Sequence, residues 1–327
     1  MSSQWGPYVS IAFQADRPAR SRRAIALCCD DRYLPYAAFM ARQIAAQSPK
    51  RDFDICICSI DRLELPKSLD HLGVRLCQIE AEAAFDGMGR DQRQTVSTYL
   101  RLALPDAFAN DYDRILYLDS DIFVQGGDLG ALLSIDMKGR PIAAVRDNPQ
   151  WRTPNRRPAD LRALGLAAAP YFNAGVLLIE TRPWLDSNTL GRAQTVGQTK
   201  ADKLVHKDQT LLNVVFHQNW AEISPVWNWQ YVQKSRLFES MADAHLVHFI
   251  GPNKPWKDPK GIFPPRFAKA IAPFVAAHFP GREAITIRPE PARNSAEMRK
   301  TLWLHYMAAP RMAHYLDRFP TDLTVHT

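Results

Sequence analysis

The stretch 114-RILYLDSDIFVQ-125 decides the fold. Its apolar residues predict a buried β-strand, yet Asp119 and Asp121 lie in the middle of the run. An unpaired carboxylate buried in a protein costs on the order of several kcal/mol. Because residues i and i+2 of a strand point to the same face, both carboxylates are expected to lie side by side. Carboxylate oxygens suit Mg²⁺ and Mn²⁺, so the pair is a candidate metal site; salt-bridged or solvated carboxylates are the alternative.

Strand and helix patterns alternate along the chain on both sides of this stretch. Strand, helix and strand in succession indicate a parallel sheet in an α/β domain. The predicted strands are AIALCC (24–29), FDICICSI (53–60), VRLCQIE (74–80), PIAAVRD (141–147), YFNAGVLLIE (171–180) and HLVHFIG (245–251). The predicted helices run from Tyr33 to about Gln47, from 96 to Pro105, and over 208–218.

We expect three segments: a polar lead-in over 1–23, an α/β domain over 24–270, and a helical extension over 271–327. Within the extension, residues 296–319 mix basic residues with large apolar and aromatic ones. This pattern predicts one or two amphipathic helices, broken near Pro310. Such a segment either packs onto the main domain or lies on a membrane surface.

Composition limits the function classes that need consideration. The chain has 327 residues, 46% of them hydrophobic, and a net charge of +7. No run approaches the roughly 18 apolar residues that a membrane span needs, and the N-terminus lacks the apolar core of a signal peptide. These features predict a cytoplasmic protein, either free or peripheral on the inner face of the membrane. The basic segment 140–162 could meet an anionic ligand or form a solvated loop.

The remaining composition gives two negative expectations. The five cysteines are odd in number and contain no CxxC motif, so they predict small buried apolar residues rather than disulfides or a zinc site. The sequence also lacks the signatures of common nucleic-acid-binding modules, so we expect no nucleic-acid partner.

A second motif, 248-HFIGPNKPW-256, completes the chemistry of the two aspartates. Its histidine ends a predicted strand, where an imidazole could complete a metal site, and Lys254 could reach a phosphate oxygen. With LCCDDRYLPYAAFMARQI, STYLRLALP, RILYLDSDIFV, YFNAGVLLIE and HKDQTLLN, in that order, it resembles the retaining glycosyltransferases of family 8. That family includes bacterial lipopolysaccharide galactosyl- and glucosyltransferases and glycogenin.

The resemblance implies a GT-A fold, with a Rossmann-like, mostly parallel central sheet flanked by helices and a C-terminal helical tail. It also implies UDP-galactose or UDP-glucose as donor, with Mn²⁺ or, as a second choice, Mg²⁺. Matching positions give Asp119, Asp121 and His248 as metal ligands. The implied donor-binding residues are Cys28, Cys29, Asp30 and Tyr33 at the uridine, Arg101, Asn173 and Ala174 at the sugar, and Gly251 and Lys254 at the diphosphate. The implied contacts to the transferred sugar are Asp208 and Gln209.

Some assignments rest on weaker signals. Asp147, after a predicted strand, is an expected acceptor-side contact. Arg32 stands where the family often has asparagine, which leaves some uridine contacts open. Trp227 and Trp229 could stack on an acceptor sugar or belong to the core.

The leading hypothesis is a metal-dependent retaining hexosyltransferase that acts on a glycan or glycolipid, above all a lipopolysaccharide core. Retention could proceed by attack from the face of departure or through a short-lived covalent adduct. A non-catalytic nucleotide-sugar-binding protein and a self-glucosylating, glycogenin-like enzyme are the alternatives. A nucleotidyltransferase is disfavoured because its glycine-rich loop is missing after the first strand, where CCDDRY stands.

Overall fold

Buried apolar strands form the centre of the fold, as the apolar runs predict. The computed structural model describes residues 11–88, 96–258, 260–287 and 295–327. The strands are β1 (Ala12–Ala15), β2 (Arg23–Cys28), β3 (Asp54–Ser59), β4 (Arg75–Glu80), β5 (Arg114–Asp119), β6 (Ile122–Val124), β7 (Ile142–Arg146), β8 (Phe172–Glu180), β9 (Ala221–Ile223), β10 (Trp229–Gln230), β11 (Leu246–His248) and β12 (Val325–His326).

Helices occupy most of the connections. They are α1 (Leu34–Gln47), α2 (Leu100–Ala107), α3 (Leu129–Leu132), α4 (Asn148–Arg152), α5 (Ala159–Ala163), α6 (Thr181–Asp186), α7 (Thr189–Thr199), α8 (Lys207–Val215), α9 (Phe238–Met241), α10 (Pro265–His278) and α11 (Ser295–Leu316). The predicted helix from Tyr33 is confirmed as α1, which a proline near its N-terminus helps to start.

Nine strands form one sheet in the order β1-β4-β3-β2-β5-β8-β7-β9-β12. Strands β2, β3, β4, β5, β7 and β9 run in one direction, and β1, β8 and β12 run in the other. The sheet is therefore mixed but mostly parallel, as predicted. Antiparallel β8 in its middle separates the two groups of parallel strands.

Both faces of this sheet are covered, which explains why its central strands are apolar throughout. In β2, Ile25 and Leu27 face the core layer that contains α1. The alternate residues Ala24, Ala26 and Cys28 face the layer that contains α2. All five side chains are buried.

The opening stretch forms two strands rather than the single one that its apolar pattern predicts. β5 ends at Asp119 and belongs to the large sheet, whereas β6 begins at Ile122 and belongs to a three-stranded sheet with β11 and β10. Ser120 and Asp121 connect the two sheets. The chain leaves the large sheet here because β6 pairs with β11 instead of with a strand of that sheet. In this antiparallel pairing, Ile122 lies opposite His248.

Two prolines lie inside helices where the sequence predicts an end or a break. α2 continues past Pro105 to Ala107, and α11 is one helix that contains Pro310. An internal proline removes one backbone hydrogen bond and bends a helix, but packing can hold both halves. In α11, buried Ala308 precedes the proline and buried Met312 follows it.

Both segments that flank the predicted central domain contribute to its sheet. Strand β1 lies within the predicted lead-in and pairs with β4, and β12 lies within the C-terminal extension and pairs with β9. Helix α10 crosses residue 270. The five cysteines are free and buried. Among the described helices, none has the length and apolar character needed to cross a bilayer.

Candidate active site

The carboxyl ends of two adjacent parallel strands meet at a cleft. In the register of β2 and β5, Cys28 lies opposite Asp119. Ser120 donates a hydrogen bond to the Cys28 carbonyl at 2.8 Å, which joins the end of β2 to the turn between β5 and β6. The cleft is a cavity of about 230 Å³. It is lined by Cys28, Cys29, Asp30, Arg32, Tyr33, Ser97, Thr98, Arg101, Tyr117, Asp119, Ser120 and Asp121.

Asp119, Asp121 and His248 form a compact cluster, and the two aspartates line the cavity. One ligand atom from each residue lies within 4.8 Å of the others. His248 Nε2 lies 3.1 Å from Asp121 Oδ1 and 3.6 Å from Asp119 Oδ2. Asp121 Oδ1 is buried and accepts no hydrogen bond from the described residues. Two carboxylates and one imidazole are a donor set that suits a divalent cation such as Mn²⁺.

The hydrogen bond on the far side of the imidazole supports this assignment. His248 Nδ1 lies 2.9 Å from Oδ1 of buried Asn228, whose Nδ2 donates to Asn173 Oδ1 at 2.9 Å. This second bond fixes the asparagine's orientation, so its Oδ1 must accept a hydrogen bond from His248 Nδ1–H. The lone pair of His248 Nε2 then faces the carboxylate oxygens. These electron-rich atoms repel one another, and a cation bound between them would remove that repulsion.

Gly175 makes room for the same cluster. A Cβ atom at this position would lie 2.2 Å from His248 Cε1 and 2.9 Å from Asp119 Oδ2. Both distances are far below van der Waals contact, so any other residue would displace the imidazole or strand β8.

Lys254 reaches the cluster from the loop after β11. Its Nζ contacts Asp121 Oδ2 at 2.5 Å and donates to the Phe249 carbonyl at 2.6 Å. Burial alone would raise the pKa of Asp121, but the charge of Lys254 beside it brings that pKa well below its ordinary value. Gly251 lies exposed in the same loop with a φ of 87°, a left-handed conformation that favours glycine.

Arg101 connects the cluster to a second acid. Its Nη2 lies 2.8 Å from Asp119 Oδ1, and its Nε lies 3.0 Å from Asp208 Oδ2. The guanidinium also donates to the Ala174 carbonyl and lies over the Tyr117 ring, whose hydroxyl donates to Asp119. Burial raises the pKa of Asp208 to about 6 against the opposing effect of Arg101.

The start of β8 and the start of α8 are joined through Gln209. Its Oε1 accepts hydrogen bonds from Asn173 Nδ2 at 3.2 Å and from the Ala174 amide at 3.1 Å. Asp147 is half-buried beside Asn173, and burial raises the pKa of its carboxyl. The predicted contacts to the sugar therefore lie on adjoining elements.

Asp30 lies in the loop after β2, where two neighbouring residues hold its carboxylate. One carboxylate oxygen accepts from the Tyr33 amide at 3.1 Å, and the other lies 2.8 Å from Arg32 Nη2. Arg32, which differs from the usual asparagine, thus pairs with a predicted uridine contact. All these side chains line the cavity together with the Cys28 and Cys29 backbone.

Three residues of the site are not identified by the sequence reasoning. Asn228 hydrogen-bonds to His248, and Gly175 leaves space for its imidazole. The Tyr117 hydroxyl donates a hydrogen bond to Asp119. A glycine two residues after Asn173 in a buried strand is the one available signal, since glycine inside a strand often marks a close approach. Trp227 and Trp229 are fully buried and belong to the core.

Comparisons with known proteins agree with this geometry. The sequence model of glycosyl transferase family 8 matches residues 24–260. The lipopolysaccharide 1,3-galactosyltransferase of Salmonella typhimurium is 31% identical over 169 residues, which cover 50% of each chain. The lipopolysaccharide glucosyltransferase WaaO of Escherichia coli is 31% identical over 171 residues, again 50% of each. The chain thus spans about half the length of these curated relatives.

A solved structure shares the fold. The galactosyltransferase LgtC, in complex with donor and acceptor sugar analogues, superposes with a TM-score of 0.62 at 21% identity. The match covers 85% of this chain and 99% of LgtC. The predicted GT-A architecture is confirmed by this likeness and by the order of the strands.

Proposed function

Because the chain belongs to glycosyl transferase family 8, we propose that it transfers galactose or glucose from UDP to a hydroxyl group of a glycan. The observation that carries this proposal is the cluster of Asp119, Asp121 and His248 at a cavity that parallel strands build. In a metal-dependent nucleotide-sugar transferase, such a cluster lies beside the donor, where the diphosphate leaves.

The reaction exchanges one bond at the anomeric carbon of the sugar. The bond to the diphosphate oxygen breaks, a bond to the acceptor oxygen forms, and the acceptor's proton leaves with UDP or passes to solvent. A divalent cation held by the cluster would act as a Lewis acid on the departing diphosphate, which is worth several kcal/mol in such reactions. Lys254, already within the cluster, contributes a positive charge to the same phosphates.

Asp208 is placed to stabilise the positive charge that develops on the sugar. It is buried, and Arg101 holds its carboxyl at 3.0 Å. A fixed negative charge in a water-poor site is worth more than the same charge in solvent. Gln209 has a different task, since its Oε1 already accepts two hydrogen bonds and an amide oxygen is a poor nucleophile. Same-face attack and a covalent adduct both remain compatible with this arrangement.

A non-catalytic sugar-nucleotide-binding protein would not need these features together. The ligand set is complete, and the buried pair of Arg101 and Asp208 costs desolvation energy that binding alone does not require. The arrangement therefore favours an enzyme over a binding protein.

For the acceptor we propose a glycolipid, above all the core of a lipopolysaccharide. The two curated relatives named above are lipopolysaccharide transferases, and each aligns over half of this chain. Mass spectrometry can test the transfer: the purified chain, Mn²⁺ and each UDP-sugar are incubated with truncated-core lipopolysaccharides. We expect one acceptor to gain the mass of one hexose. A hexose gained by the protein itself would instead support the self-glucosylating alternative.

We also propose a cytoplasmic protein that lies peripherally on the inner face of the membrane through α11. One face of this helix packs inward with Thr301, His305, Ala308, Met312 and Tyr315. On the other face, Trp303, Tyr306 and Met307 are 60%, 76% and 58% exposed. An exposed apolar face of this kind, with basic Arg299 and Lys300 beside it, fits the interface of an anionic bilayer.

Sedimentation with vesicles tests this surface. The wild type is expected to bind vesicles that contain phosphatidylglycerol more strongly than neutral ones. Replacing Trp303, Tyr306 and Met307 together with serine should abolish the difference. Met241→Ser is the matched control, because Met241 is 80% exposed but lies on α9. Equal binding by the triple variant and the wild type would refute the membrane contact.

A further inference from the structure

A histidine and a buried aspartate form a second polar cluster beside the site. His206 immediately precedes α8, and its side chain is 59% exposed. Its Nδ1 lies 2.8 Å from Oδ2 of Asp160, a carboxyl that is fully buried. The hydroxyl of buried Tyr171 donates to the same oxygen at 2.6 Å. Thr210 Oγ1 accepts from the His206 amide at 3.1 Å, which anchors the backbone.

These hydrogen bonds define the state of the imidazole. Burial alone would raise the pKa of Asp160, but hydrogen bonds from His206 and Tyr171 bring it below its ordinary value. Asp160 is therefore a carboxylate that accepts a hydrogen bond from His206 Nδ1–H. No described residue hydrogen-bonds to His206 Nε2, so this nitrogen is available to a ligand.

The cluster opens next to the residues assigned to the transferred sugar. His206 lies two positions before Asp208, and Lys207 between them has a φ of 44°, which turns the chain sharply at the start of α8. Asp147 is near enough for its charge to act on His206, and its amide donates to the Tyr171 carbonyl at 2.8 Å.

The charges around His206 select the kind of group that can bind. Asp147, Asp160 and Asp208 all act on the imidazole, whereas the cation Arg101 is already paired with Asp208. A phosphate or carboxylate at this position would meet like charges. The hydrogen bond to Asp160 raises the pKa of His206 and so favours the imidazolium form, which carries a proton on each ring nitrogen. A neutral hydroxyl can then accept from Nε2 and donate to Asp147.

We propose that His206 Nε2 and the Asp147 carboxyl form the subsite for a hydroxyl group of the acceptor sugar. In this subsite Asp160 and Tyr171 are positioning residues that fix the orientation of His206 and keep Nδ1 as a hydrogen-bond donor. The inference rests on the proposed hexosyl transfer and adds to it the residues that hold the acceptor.

Steady-state kinetics of His206→Ala test the subsite, with a reactive truncated-core lipopolysaccharide as acceptor. We expect KM for the acceptor to rise about tenfold or more, as the loss of one hydrogen bond to a sugar implies. KM for the UDP-sugar should change by less than about threefold on the same scale. His206→Gln, which retains a neutral hydrogen-bonding group, should recover part of the loss, and Asp160→Asn should raise the acceptor KM in the same way.

The control is His217→Ala, which removes another partly exposed histidine just beyond the C-terminal end of α8. It should leave both KM values unchanged. Thermal unfolding of Asp160→Asn separates a folding defect from a kinetic one. An unchanged acceptor KM in His206→Ala, or equal changes in both KM values, would overturn the subsite alone. A wild type that transfers sugar to no acceptor would overturn the proposed function, and the subsite with it.

Discussion

Replacing Asn228 with alanine is expected to weaken metal binding without touching a proposed ligand. Asn228 Oδ1 is the one partner of His248 Nδ1 among the described residues, at 2.9 Å, and the asparagine is fully buried. Without it, nothing fixes the tautomer that directs the lone pair of Nε2 towards Asp119 and Asp121. The loss of such a partner typically lowers metal affinity about 10- to 100-fold, or roughly 1.4–2.7 kcal/mol.

Calorimetric titration of Mn²⁺ into the UDP-saturated protein measures this change. Asn228→Asp keeps an oxygen for His248 Nδ1 and should bind Mn²⁺ far more tightly than Asn228→Ala. Asn219→Ala is the control, because Asn219 is exposed and its side chain hydrogen-bonds only to Arg140 among the described residues. The alanine variant also loses buried hydrogen bonds at a cost of about 1–3 kcal/mol, so its fold is verified by thermal unfolding. If Asn228→Ala bound Mn²⁺ as tightly as the wild type, the reasoning about His248 would be refuted.

Three further changes test other parts of the site and the fold. Gly175→Ala would place a Cβ 2.2 Å from His248 Cε1, and we expect a loss of about 1–3 kcal/mol in unfolding free energy together with weaker Mn²⁺ binding. The pKa of Asp208 is about 6, so protonation below that pH removes its negative charge; kcat should fall there, and a profile flat through pH 6 would contradict its role. Glu222→Gln should destabilise the fold by about 3–5 kcal/mol in urea titrations, since it leaves the buried charge of Arg146 without a negatively charged partner, whereas exposed Asp136→Asn should have a much smaller effect.

The parallel strands could be predicted because burial on both faces leaves a direct trace in the sequence. From Ala24 to Cys28, β2 is apolar at every position, and the helical period that follows it indicates α1. The edge strands β1 and β12 leave no such trace. Each is short and only partly buried, and it forms because a longer strand offers a free edge.

The two aspartates were predicted to lie together, but for an incomplete reason. Alternation along one strand places Asp119 and Asp121 on one face, whereas the chain in fact changes sheets between them. Both side chains still reach His248, because β6 pairs with β11 and brings the histidine to the turn. That pairing joins residues more than a hundred positions apart, which local patterns do not encode.

Residues that act through others are the hardest to predict from one sequence. Asn228 belongs to an aromatic stretch that reads as core, and its role depends on one hydrogen bond to His248. Asp160 lies in a basic segment that reads as a solvated loop, yet its carboxyl is fully buried beneath His206. In both cases the tertiary fold, rather than the local sequence, gives the polar group its partner.

The release of UDP from UDP-galactose and UDP-glucose, with and without Mn²⁺, tests the central claim most directly. The wild type should release UDP from one of the two donors only when Mn²⁺ is present. Asp121→Ala, which removes a buried oxygen of the proposed metal site, should abolish that release while the protein stays folded. Equal release by both proteins, or release that does not depend on the metal, would contradict the account.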